Sequence, residues 1–128
     1  MKNKSEIREK VFKILFQLEN KDLYLNDLSE LDNDIFSDDI IIETLKDIKN
    51  NLKEVDLIIN KNLREWTLSR LSKMDRQILR IATYEILFTD IPYKVSINEA
   101  LEISKKYSEK DDSYKFINGV LRGVLQNT

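Results

Sequence analysis

The 128-residue chain contains no cysteine and no histidine. Without thiols there is no disulfide framework and no thiolate chemistry. Without imidazole the commonest general base and the commonest metal ligand are both missing. Catalysis would have to rest on carboxylates, lysine, tyrosine or serine, which lowers the expectation of an enzyme. Two glycines and one proline leave little material for hairpin turns or for a glycine-rich phosphate loop. The sequence has no apolar run of about eighteen residues, and its opening, MKNKSEIREK, lacks the apolar core of a signal peptide. A cytoplasmic protein is expected.

What is present suits a folded, well-solvated helical globule: 41% hydrophobic and 34% charged residues, enough for one domain over residues 1–128 with a real core. The net charge of −2 conceals an uneven distribution. Residues 1–13 hold five bases against two acids, residues 22–56 eleven acids against three bases, and residues 57–128 twelve bases against nine acids. Phosphates respond to the local field, so an acidic chain can still bind nucleic acid. Mixed surfaces also produce such runs by chance, and charge alone favours that plainer explanation.

Hydrophobic periodicity places the helices. Ile7, Val11, Ile14, Leu15 and Leu18 form one stripe of a first helix over about 5–20, with Phe12 and Phe16 paired beside it and Lys4 and Arg8 sharing a third face. A short helix is expected at about 24–31, then an acidic loop, Asp32–Asp39, whose last acids suit the next helix N-terminus. Ile41, Leu45, Ile48, Leu52, Val55, Ile59 and Leu63 mark a long helix that Asn50-Asn51 could bend or split. The segment 74–89 is apolar nearly all round and belongs in the middle of a bundle. Asp90-Ile91-Pro92 ends it. Ser96-Ile97-Asn98-Glu99 has the form of a capping box opening a helix at about 97–108, and a last helix spans about 113–126. Gly119 and Gly123 in that helix suggest a groove where another backbone lies close. The pattern gives an all-α bundle.

Candidate chemistry is sparse. Glu85, in the most apolar segment, could be a general acid with a pKa raised by burial. A buried carboxylate paired with an arginine such as Arg70 explains it better. Asp32, Asp34, Asp38 and Asp39 superficially suggest a calcium loop, but the glycine and the terminal glutamate at the required spacing are missing. No metal or cofactor is expected. Tyr114-Lys115-Phe116 puts two aromatics and a cation together after a polar turn, a group that can stack on bases and touch phosphate. Aromatics at such spacing are more often core.

The run from Trp66 to Leu121 shifts that balance. WTLSRL, MDRQILRIATYEIL and IPYKVSINEALEISKKYSEKDDSYKFINGVL together resemble the NusB family, as does the first helix with Arg8-Glu9, Phe12, Leu15, Phe16, Gln17 and Leu18. The resemblance implies an all-helical fold of about seven helices in two packed subdomains, and a transcription antitermination factor. It implies a partnership with the ribosomal protein that serves as Nus factor E, joint binding of single-stranded boxA RNA in ribosomal RNA operons, and entry into the RNA polymerase antitermination complex. It places RNA contacts at Lys2, Lys4 and Arg8 and at Asp112, Ser113, Lys115 and Phe116, with Asp75 and Phe16 at the partner surface. Some family members form homodimers, so self-association stays open. Many members have an arginine-rich N-terminal segment, whereas this one has a single Arg and two Glu. Lysine does not reproduce the arginine fork on phosphate. That departure keeps a protein-interaction module with little RNA binding of its own as the alternative. Some RNA cytosine methyltransferases carry a similar domain, but no glycine loop or catalytic cysteine of such an enzyme is present in this chain.

Overall fold

The computed structural model describes residues 4–20, 38–64, 67–108 and 110–127. The helix expected at about 24–31, most of the acidic loop before Asp38, and Lys2 and Trp66 lie outside these residues. Five α-helices are seen among them: α1 (Lys4–Asn20), α2 (Asp39–Lys61), α3 (Lys73–Phe88), α4 (Tyr93–Tyr107) and α5 (Ser113–Gln126), with a 3-10 turn at Leu68–Arg70. That is fewer than the seven or so expected. The chain divides into two compact units, residues 1–51 and 52–128, and α2 runs through the boundary.

In the first unit α1 buries Val11, Phe12, Ile14, Leu15 and Leu18, the expected stripe with Phe12 added and Ile7 only half-buried, and the first half of α2 buries Ile41, Leu45 and Ile48. Phe16 stacks on Phe12 at 6.3 Å between ring centres. The Asp38 carboxylate accepts the Ile40 and Ile41 amides at 3.0 and 3.3 Å, capping two of the donors that open α2. Asn50 and Asn51 neither split nor end this helix. The Asn51 side-chain amide instead donates to the Asp47 carbonyl one turn back at 2.8 Å.

In the second unit α3 packs against both α4 and α5, and those two against each other. Its segment from Gln77 to Glu85 is buried on nearly every side, as its all-round apolar pattern requires. Ile78, Ile81, Ala82 and Leu121 are all in the core. From α2, Asp56 takes a two-pronged contact from Arg80 of α3 at 2.9 and 3.0 Å. This paired geometry fixes direction as well as distance.

Three details differ from the sequence pattern. The capping box expected at Ser96–Glu99 is not one: α4 already begins at Tyr93, with Pro92 as its N-cap, and the Val95 and Ser96 amides donate to the Pro92 carbonyl. A proline has no amide to leave unsatisfied and its fixed φ suits a helix start, so the helix opens four residues early. Ser96 then faces inward, where its hydroxyl donates to Glu85 at 2.7 Å. The capping pattern is instead realised at Ser72–Asp75, where the Ser72 hydroxyl accepts the Asp75 amide at 3.1 Å. Secondly, the hydrogen bond to buried Glu85 comes from Ser96, while Arg70 lies exposed on the 3-10 turn. Thirdly, the two glycines of α5 do not form one groove. A Cβ on Gly119 would meet nothing, whereas one on Gly123 would sit 2.7 Å from the Asn62 side-chain oxygen.

Ile81 is 4% exposed and tests the central position of α3. Ile81→Ala should cost roughly 2–5 kcal/mol in denaturant unfolding. A cost near zero would show that the packing around α3 is wrong.

Candidate nucleic-acid and partner interfaces

The expected N-terminal contact set is divided by the fold. Lys4 is exposed at the first turn of α1, but Arg8 is only 7% exposed. The reason is angular. At 100° per residue Arg8 lies about 20° from Leu15 and about 40° from Phe12, in line with the buried stripe and not with an open face. Lys4 is therefore the exposed cation of this pair.

The second set is brought together at the opening of α5. Asp112 and Lys115 are exposed, Phe116 is half-buried, and Ser113 is buried. The turn is held by its backbone: the Ser113 amide donates to the Lys110 carbonyl at 3.2 Å and the Lys115 amide to the Asp112 carbonyl at 3.0 Å. Ile117 and Leu121 anchor the helix in the core with no exposed surface. Phe116 thus sits beside the buried stripe, with part of its ring at the surface. The ammonium of Lys105, in the last turn of α4, lies 5.2 Å from the centre of the Tyr114 ring, so α4 supplies a cation to the same surface.

Asp75 is half-buried in the first turn of α3, where a carboxylate also suits the helix dipole. Its Oδ1 accepts the Ser108 hydroxyl at 3.1 Å, and Ser108 in turn lies 3.2 Å from Ser104. This chain ties the start of α3 to the end of α4. Burial pushes the Asp75 carboxyl above its ordinary value, against the opposing pull of hydrogen bonds with Ser108 and Ser72 and the charge of Lys110. Asp75 and the α5 opening therefore lie at one end of the second unit, linked through the turn that contains Lys110. Phe16, the other expected partner residue, is half-buried on α1.

Neither the Ser108–Asp75 bond nor the Lys105–Tyr114 contact was legible in sequence. Both join residues on different helices, and no spacing marks them.

The raised Asp75 pKa has a consequence for stability. Between the ordinary value of 3.8 and the raised folded value, the folded state holds more proton than the unfolded state. Stability contributed by this group is therefore present below 3.8 and lost as pH rises through the folded pKa. Asp75→Asn removes the titration, so the variant should gain stability relative to the parent as pH rises across that window. Parallel melting curves over a pH series check this, and a difference that stays flat with pH rules it out.

A protein-family model described as the NusB family matches residues 5–126. The chain is 40% identical to the transcription antitermination protein NusB of Macrococcus caseolyticus, covering 98% of both proteins. It is 44% identical to the protein of that name from Staphylococcus aureus strain MRSA252, covering 95% of this chain and 98% of the other. Among solved structures, T. maritima NusB matches with a TM-score of 0.84 at 40% identity over 98% of this chain and 92% of its own. The NusB of a crystal structure of antitermination factors NusB and NusE with double-stranded RNA matches at 0.78, over 97% and 96% of the two chains. At 20% identity that last likeness shows the shared fold alone.

Proposed function

The chain belongs to the NusB family, and on that premise we propose that it is an RNA-binding transcription antitermination factor. It pairs with the ribosomal protein that serves as Nus factor E, and the pair holds boxA-type RNA of ribosomal RNA operons within the RNA polymerase antitermination complex. The observation that carries this reading is identity of about 40% over nearly the whole chain to relatives named for antitermination. The α5 opening supports it on physical grounds. A half-buried phenylalanine beside an exposed lysine offers one group for a base and one for a phosphate. The fold neighbour crystallised with NusE and double-stranded RNA has the same architecture. The role is one of binding. It is a role exercised in the cytoplasm, and no described helix is long and apolar enough to cross a membrane.

One observation favours a second reading, a protein-interaction module with little RNA binding of its own. Arg8, the single arginine of the N-terminal segment, is buried.

Phe116 separates the two. As a stacking residue it contributes about 1–3 kcal/mol per base and carries no charge, so Phe116→Ala should weaken boxA binding at every salt concentration without changing the slope. Neutralising Lys4 and Lys115 should flatten the slope instead. Anisotropy titrations with the ribosomal partner present, beside melting curves of each variant, check both. Normal affinity in a destabilised but folded Phe116→Ala protein would make Phe116 a core residue only.

The partner surface has its own test. Asp75→Lys should weaken pairing with the ribosomal protein through like-charge contact. Ser108→Ala, which removes the internal hydrogen bond without reversing charge, should leave pairing intact. Calorimetric dissociation constants that match for all three proteins would remove Asp75 from the interface.

A further inference from the structure

Phosphate recognition by arginine depends on a guanidinium that is exposed and held in place, and the six arginines of this chain differ sharply in both respects. They stand at positions 8, 64, 70, 76, 80 and 122. Arg8 is buried. Arg80 is engaged by Asp56, and Arg76 by backbone carbonyls. Arg64, Arg70 and Arg122 are the exposed ones, and two of these lie on the connector between α2 and α3. Around the connector positive charge is also in surplus, as it is in residues 1–13. Residues 61–76 carry Lys61, Arg64, Arg70, Lys73 and Arg76 against Glu65 and Asp75, a surplus of three. Residues 102–115, around the α5 opening, carry four lysines against four acids and no surplus.

The turn at Leu68–Leu71 is held by hydrogen bonds. The Arg76 guanidinium donates to the carbonyls of Leu68 at 2.9 Å, Ser69 at 3.2 Å and Leu71 at 2.8 Å. The Leu68 amide donates to the Asn60 side-chain oxygen at 2.9 Å. Leu68 and Leu71 are buried on either side of exposed Ser69 and Arg70. The interior arginine thus fixes the turn that presents the outer one, and Lys73 projects from the helix that follows.

We propose that Arg64, Arg70 and Lys73 form a second RNA contact surface, which binds the phosphate backbone without reading bases. The proposal rests on the RNA-binding reading above and adds residues that neither the N-terminal segment nor the α5 opening contains. Arginine suits the task because its planar fork matches phosphate oxygens two at a time. A turn locked by its own hydrogen bonds loses little freedom when it binds. An exposed cationic surface of this kind could also meet an acidic protein segment, and the experiment separates that case.

The test uses the full chain with its ribosomal partner and two fluorescein-labelled single-stranded RNAs, one of boxA type and one scrambled, titrated across a potassium chloride series. Arg64→Gln with Arg70→Gln should lower the slope of log affinity against log salt by about 1.4, since each lost phosphate contact on a single strand removes about 0.7. The change should be the same on both RNAs. Arg64→Lys with Arg70→Lys should restore most of the slope, because the charge returns while the fork does not. In the unmodified protein, crosslinking to thiouridine-substituted RNA should label the peptide spanning residues 67–73, a readout that holds even if a variant folds poorly. An unchanged slope in a folded variant overturns the proposal, as does absence of the crosslink, while binding of boxA RNA by the parent leaves the antitermination reading standing. Lost partner pairing with unchanged RNA affinity overturns it in favour of a protein contact. A parent pair that binds neither RNA defeats both readings together.

Discussion

Burying α3 on most of its circumference takes Glu85 out of solvent and leaves Asp75, Arg76 and Arg80 only partly in it, so these groups bind neighbouring elements. Glu85 takes the Ser96 hydroxyl from α4, Arg80 takes Asp56 from α2, Arg76 takes three carbonyls of the 3-10 turn, and Asp75 takes Ser108 at the end of α4. A buried polar group left unsatisfied costs about 1–3 kcal/mol, so each contact constrains where its partner element begins or ends. The start of α4 at Tyr93 shows this. Only a helix opened by Pro92 brings Ser96 inward onto Glu85. The Thr83 hydroxyl, buried with no hydrogen-bond partner among the described residues, is an exception on the same helix.

This arrangement also decides which charges remain for binding. Arg76 and Arg80 are spent within the fold, and Arg8 is withdrawn by its angular position on α1. The sequence surplus of positive charge in residues 57–128 is therefore not spread evenly over the surface. At the α5 opening a lysine stands beside acids, so the proposed RNA contact there would depend on Phe116 and the geometry of the turn more than on net charge. On the α2–α3 connector the charge is unbalanced and the backbone fixed. On the proposed reading, base contact and phosphate contact consequently fall on different elements of the second unit.

The legible part of this protein was the part written in local periodicity. The stripe from Ile41 to Ile59 and the all-round apolar run of α3 depend on spacing alone, and helix positions followed from them to within a few residues. The long NusB-like run identified the family and pointed to the α5 opening. What failed was choice between equivalent local signals. Ser72-Lys73-Met74-Asp75 and Ser96-Ile97-Asn98-Glu99 carry the same capping pattern, yet only the first caps a helix, because Pro92 had already started the second one. Arg8 was misplaced for a similar reason. A charged residue is ordinarily assigned to an open face, whereas the helix wheel puts this one in line with Leu15.

The division between fixed and exposed arginines bears on how a NusB relative can keep RNA binding when its N-terminal segment carries few arginines. Attraction from exposed lysines is a point-charge effect and is screened within about 8–10 Å at physiological salt. Capture by exposed lysines such as Lys4 would therefore be weak and salt-sensitive. In the proposed second surface, Arg70 on its hydrogen-bonded turn adds direction, since the guanidinium fork requires phosphate oxygens in one plane. Such a contact aligns a strand without selecting its sequence, and it leaves selection to the aromatic edge at α5. On this proposal the chain can tolerate dilution of its N-terminal charge, because orientation and selection would be supplied by two elements that α3 holds in the same unit.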